Sequence, residues 1–379
     1  MKRIILVLYL FYTGFFYLGA TNYELNDEIR QIMEKYQAIG VSIAVVKNNE
    51  IFYSQTYGYN PDYNDTTLRK PIPSDGIFVI QSISKTFIST AIMQLSEKRR
   101  LRLDDDVNQH LPFQVRNPNY PDTPITIRML MSHRSSINDR HYGWSYDQIN
   151  PQKGKRWQEC YNDYAPGTKF SYCNYNYQLL GAIIEGVTGD KFMDYIDEHI
   201  TRPLKLNASY NLTKIDRTKL VRSLRYDKNK RKYVKDTLIY NYTFYEKQLQ
   251  NYRLQETTGS FSPSGGMKIS AVDLARYMMM HMNNGTYQGK KILKKRSESE
   301  MRRALAADTT YALGFFTNNS ILKGEPIVGV RGNAHGVRSA MYFNSEKKFG
   351  IVIICNGCKK DERKMKDGIA YAIYKHLIL

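Results

Sequence analysis

The chain has 379 residues, of which 42% are hydrophobic, 13% aromatic and 24% charged, enough for an ordinary core and, at about 150 residues per domain, for two lobes. That composition excludes a mainly disordered protein, and 12 Pro and 24 Gly without a tripeptide period exclude collagen-like and low-complexity architectures. The net charge of +19, from 55 Lys and Arg against 36 Asp and Glu, would attract nucleic acid, anionic lipid or an acidic envelope polymer, against which stands a merely solvated basic surface.

Lys2 and Arg3 precede an uncharged, Leu- and Phe-rich stretch over residues 4–20, the layout of a secretory signal or, if uncleaved, an N-terminal anchor. The expectation is export to the periplasm or cell envelope, which weighs against cytoplasmic nucleic-acid binding. Residues 25–36 place Ile29, Ile32 and Met33 at helical spacing, and residues 41–46 and 51–57 read as strands around the turn Asn48-Asn49-Glu50. An apolar run over 77–80 then gives way to a helix whose buried stripe is Phe87, Ile88, Ala91, Ile92 and Leu95.

At that junction stands Ser82-Ile83-Ser84-Lys85. Three residues apart on one helix means one face, so the Lys85 amine can reach the Ser82 hydroxyl and activate it as a nucleophile. A helix N-terminus there would also stabilise developing negative charge. The bland alternative is an N-cap serine with a surface lysine.

Further along come Ile125-Thr126-Ile127-Arg128-Met129-Leu130-Met131-Ser132-His133, Pro166-Gly167-Thr168-Lys169-Phe170-Ser171-Tyr172-Cys173-Asn174 and an apolar helix over 179–187. Pro203-Leu204, Ser264-Gly265-Gly266-Met267-Lys268-Ile269-Ser270 and Tyr311-Ala312-Leu313-Gly314-Phe315 follow. In this order and spacing the chain resembles the serine β-lactamase and penicillin-recognising DD-peptidase superfamily, in its class C-like branch with Ser-x-x-Lys and Tyr-x-Asn motifs. The resemblance implies an α+β fold of the β-lactamase/transpeptidase type, an antiparallel sheet flanked by helices with a helical domain inserted. The sheet lobe would take about 21–83 and 305–379, the helical lobe about 84–304. It implies Tyr172 as general base or proton shuttle beside the Lys85 ammonium, and Asn174 as the amide that holds Lys85 or the substrate carbonyl. His133 reads as a structural histidine.

Between 213 and 253 there are 12 Lys and Arg against 4 Asp and Glu, interleaved with Tyr226, Tyr233, Tyr240, Tyr242, Tyr245 and Tyr252. Such a stretch suits an anionic envelope surface or a solvated hairpin better than single-stranded nucleic acid in an exported protein. Ser270 with Asp273 three residues on opens a helix over 271–283, whose Met278, Met279, Met280 and Met282 read as packing residues.

The third family motif, Lys-Thr-Gly or His-Thr-Gly, falls on Val330-Arg331-Gly332, counting back from Gly336-Val337-Arg338-Ser339. Gly332 survives, Val330 replaces the cation or imidazole, and in a regular strand Arg331 points to the opposite face. The family's oxyanion hole implies the backbone N–H groups of Ser82 and Asn333. Residues 340–343 and 349–355 read as paired strands, and 367–378 as a closing helix. Cys160, Cys173, Cys355 and Cys358 allow three disulfide pairings, and Cys355-Asn356-Gly357-Cys358 lacks a thioredoxin-like setting. No cofactor or metal is implied.

Together these readings predict an exported serine hydrolase working through an acyl-enzyme on an amide or ester, including a peptidoglycan stem peptide among its candidates. The alternative is a catalytically weak binding protein of the same fold that holds an envelope ligand.

Overall fold

The computed structural model describes residues 23–62 and 68–379; the predicted leader over 4–20 lies outside them. No helix among the described residues is long and apolar enough to cross a membrane. In chain order the elements used below are helix α1 (residues 23–36), strands β1 (Gly40–Lys47), β2 (Glu50–Gly58) and β3 (Ile77–Val79), and helices α2 (Ser84–Glu97) and α3 (Asn174–Thr188). Then come the hairpin β4 (Leu224–Asp227) and β5 (Lys232–Lys235), α4 (Tyr242–Gln250), β6 (Lys268–Ser270) and α5 (Ala271–Met282). The chain closes with β7 (Phe316–Leu322), β8 (Glu325–Ala334), β9 (Val337–Asn344), β10 (Phe349–Cys355) and α6 (Glu362–Ile373).

Both chain ends supply one six-stranded antiparallel sheet in the order β7-β8-β9-β10-β1-β2. The β1–β2 turn forms where the sequence places it: Asn48 and Asn49 have φ of 53° and 65°, the left-handed pair that a two-residue type I′ turn requires and asparagine tolerates. Strands β1 and β10 are apolar on successive residues because both faces are covered. Val41, Ile43 and Val45 belong to one apolar cluster with Ile29 of α1 and Ile369 of α6, while Ala44 and Val46 belong to another with Phe87 of α2 and Met278 of α5. The inner cluster continues from the sheet through α2 into Leu179 and Ile183 of α3, so sheet and helices share one core.

Helix α2 departs from the expected stripe, for every residue from Ser84 to Leu95 is buried. Its polar side chains are therefore paired: Thr90 with the Tyr277 hydroxyl (3.0 Å), Ser89 with the Tyr177 hydroxyl (3.1 Å), and Gln94 with the carbonyls of His199 (3.2 Å) and Ile292 (3.1 Å). Helix α5 begins as predicted, with Ser270 Oγ accepting from Asp273 N at 3.0 Å, and its four named methionines are buried. The closing helix starts earlier than its apolar period suggests, because Asp361 caps a polar first turn by accepting from Lys364 N (3.0 Å).

The basic stretch folds as the β4–β5 hairpin followed by α4. Tyr240 and Tyr245 are buried and Tyr226 packs edge-on against Tyr233 (5.4 Å between ring centres). Lys228, Lys230, Arg231 and Lys232 are exposed. All four cysteines are buried free thiols, and no cluster of His, Cys, Asp and Glu among the described residues is suited to a metal ion.

Candidate active site

Strand β3 ends at a tight junction. Gln81 takes φ of 53°, strained for a residue with a side chain, and opens a 3-10 turn, Gln81–Ile83, that runs straight into α2. The junction is pinned from both sides, as Ile80 N donates to Met267 O (3.0 Å) and Ser339 Oγ donates to Ile80 O (2.7 Å). Strand β8 lies directly against it at Gly332, where a Cβ would stand 2.3 Å from Ile80 O and 3.0 Å from Gln81 Cβ. Only glycine admits that approach.

Ser82 does not act as an N-cap: neither this turn nor α2 has a side-chain cap. Its hydroxyl instead accepts from Lys85 Nζ at 3.1 Å. Lys85 is completely buried, and its other two donors reach Asn174 Oδ1 and Ser264 O, each at 2.8 Å. An ammonium has three N–H donors, and all three are used, each on a neutral oxygen. The turn Ser264-Gly265-Gly266 can present Ser264 O because Gly266 passes where a Cβ would meet Phe261 O at 2.3 Å. Met267 N then donates to Ser84 Oγ at 3.0 Å, tying the turn to α2.

The Asn174 carboxamide is held by a residue that no motif flagged. The Asp139 carboxylate accepts from Asn174 N (2.9 Å), Asn174 Nδ2 (2.8 Å) and Tyr175 N (3.1 Å). It thus caps α3 with charge of the favourable sign and leaves Asn174 Oδ1 no direction but Lys85. Tyr172 comes to the site by its ring. Lys85 Nζ lies 5.1 Å from the ring centre, within cation–π reach, and the His133 ring lies tilted, 4.3 Å between centres, against a tyrosine that is 44% exposed and lines the cleft. Its hydroxyl makes no hydrogen bond to Ser82 or Lys85 among the described residues. His133 is completely buried. Burial, then the Lys85 charge, hold its imidazole well below the ordinary range, and Nδ1 accepts from Cys173 N (3.2 Å).

In front of Ser82 lies a cleft of about 260 Å³. Its lining includes the aromatic Tyr142, Trp144 and Tyr245 and, at the end of β8 and its turn, Asn333, Ala334 and His335. Tyr142 bonds Ser264 Oγ and accepts from Gln178 Nε2, both at 2.9 Å, and burial raises its phenol pKa, so it serves as a neutral hydrogen-bonding group.

The third-motif strand divides by face. Val330 is 3% exposed and joins the inner apolar core. Arg331 lies on the outer face, where Nε donates to the Tyr342 hydroxyl at 2.5 Å and the guanidinium pairs with Asp367 of α6 at 2.6 Å. The β8–β9 register is unbroken from Val328 to Ala334, so no bulge turns Arg331 inward. The Asn333 side chain bonds Glu362 of α6, and Asn333 is among the residues lining the cleft. In the turn and strand that follow, His335 lines the cleft and Arg338 does not.

A serine bonded to a buried lysine one turn on, an asparagine completing the lysine's shell and a glycine-bearing strand alongside make up the kind of site found in the β-lactamase-fold serine hydrolase family. The chain belongs to the beta-lactamase family, whose model matches residues 25–374. Protein flp of Staphylococcus aureus (strain MRSA252) is 27% identical over 348 residues, covering 88% of this chain and 62% of flp; the chain thus spans about three fifths of the length of such curated relatives. Among solved structures, the octameric penicillin-binding protein homologue from Pyrococcus abyssi superposes with a TM-score of 0.73 at 23% identity, covering 93% of this chain and 77% of its own. The beta-lactamase/D-alanine carboxypeptidase from Pseudomonas syringae gives 0.71 at 22%, covering 95% and 100%.

Proposed function

We propose that this chain is an exported serine hydrolase in which Ser82 attacks a short amide or ester, including peptides ending in a D-amino acid such as those of peptidoglycan. The observation that carries this reading is Lys85, buried without a carboxylate and bonded to both Ser82 and Asn174. Lys85 holds the hydroxyl and favours its anionic form; Tyr172, on the cleft side of the ammonium, carries the proton to the leaving group. The backbone N–H groups of Ser82 and Asn333 receive the developing oxyanion. The acyl group then leaves to water.

The predicted leader supports export. The exposed Lys228, Lys230, Arg231 and Lys232 at the hairpin tip support attraction to an anionic envelope surface, which should weaken with salt; unchanged sedimentation with anionic vesicles after reversing these charges would refute it. The hydrolase reading is tested with a fluorophosphonate probe. Covalent labelling lost in Ser82→Ala supports the nucleophile, whereas folded wild type that takes no label favours a ligand-binding protein of the same fold.

A further inference from the structure

Among the described residues no lysine, arginine, aspartate or glutamate lines the cleft, and Lys85 behind it has its donors filled. In a chain of net charge +19, the one imidazole among the lining side chains is His335. It occupies the turn between β8 and β9 at φ of 51°, followed by Gly336 at 82°. This turn is clamped to the basic hairpin. A Cβ on Gly336 would meet Leu224 O at 2.4 Å, and Ser223 Oγ donates to His335 O at 2.7 Å.

Asp236, just after β5 and 8% exposed, stands 2.9 Å from His335 Nδ1. A carboxylate only accepts, so the neutral ring carries its proton on Nδ1 and a lone pair on Nε2. Nδ1 is turned to Asp236, the side chain is 35% exposed, and Nε2 has no hydrogen-bond partner among the described residues; the edge left to the cleft is the Nε2 edge. Behind Asp236 lie the buried Tyr240 phenol and Arg222, whose guanidinium is 5.8 Å from the Tyr240 ring. Across the cleft are Ser82, Tyr172 and Tyr245, the last held by burial above the ordinary phenol range.

We propose that His335, oriented by Asp236, selects the leaving-group end of the substrate. The neutral ring accepts a hydrogen bond from a carboxamide and opposes a carboxylate; the protonated ring donates and admits the carboxylate. This rests on the hydrolase reading for the word substrate and adds to it a choice between charged and uncharged leaving groups set by the charge on His335.

The test uses the Ser82→Ala chain, in which no covalent step intervenes. Calorimetric Kd values are measured for N-acetyl-D-alanyl-D-alanine and for its C-terminal carboxamide at pH 5.5 and pH 8. The peptide carboxyl titrates near 3.5, below this window, so any change belongs to the protein. The carboxamide-to-carboxylate preference should fall about tenfold on going from pH 8 to pH 5.5, the scale of one charged hydrogen bond. In His335→Gln and in His335→Asn, which suits the left-handed turn, it should not change with pH. A preference equal at both pH values, the same shift in both variants, or no binding of either peptide overturns the inference. Failure of wild-type Ser82 to take a fluorophosphonate refutes the hydrolase reading and leaves this comparison standing.

Discussion

The two walls of the cleft are built on opposite plans. On the helical side Ser82, Lys85, Asn174 and Asp139 form a closed chain of hydrogen bonds in which Lys85 spends every donor. On the strand side the position that carries a cation or imidazole in the family's motif is a core valine, the neighbouring arginine is paired on the far face, and a histidine five residues on lines the cleft. The wall that makes a nucleophile is the kind a substitution breaks, while the wall that meets the substrate is the kind a substitution retunes.

The largest effect should come from the first wall. Lys85→Ala and Tyr172→Phe should each slow acylation of Ser82 by at least about a hundredfold, the scale of lost acid–base catalysis. Stopped-flow labelling measures it, and rates within a few fold of wild type would remove both residues from the mechanism. Asp139→Ala should cost less in rate, about tenfold, by freeing the Asn174 carboxamide. It should also lower the denaturation free energy by about 1–3 kcal/mol, because helix N–H groups lose their acceptor. Asp139→Asn, which keeps one acceptor oxygen, should fall between; a variant that loses stability without losing rate would make Asp139 a cap and nothing more.

The second wall should yield the smallest and most selective change. Wild type should turn over penicillins and cephalosporins poorly, with short uncharged esters the better substrates. Val330→His should raise hydrolysis of a chromogenic cephalosporin relative to a p-nitrophenyl ester by up to about tenfold, one charged hydrogen bond. Wild-type hydrolysis of the cephalosporin with kcat above ~10 s⁻¹ would show that the valine is no handicap.

What could be read from the sequence follows from how each signal is encoded. Ser82 and Lys85 lie three residues apart across the 3-10 turn and the start of α2, so spacing alone predicts that their side chains meet, whereas the bond from Lys85 to Asn174, 89 residues on, was legible only through the family resemblance. The separation of Val330 from Arg331 follows equally from the period of a strand. The all-round burial of α2 escaped because its Ser, Thr and Gln look solvent-facing until tertiary partners such as Tyr277 and Tyr177 supply their hydrogen bonds. Asp139 escaped for another reason: it lies 35 residues from Asn174 in a loop without periodicity, and one acidic residue in a loop carries no spacing. The His335–Asp236 contact bridges 99 residues and depends on two turns meeting.

The four buried thiols also bear on how the molecule is studied. Cys355 and Cys358 donate to the carbonyls of Gly357, Tyr36 and Lys360, whereas Cys160 donates to Gln148 O and Cys173 to Asp139, the residue that holds Asn174. Burial raises the pKa of each thiol, to about 12 for Cys358 and about 11 for Cys160, and reagents attack the thiolate. Alkylation in the native state therefore waits for the chain to open locally, and the order in which the two pairs are modified clocks which end of the molecule breathes first.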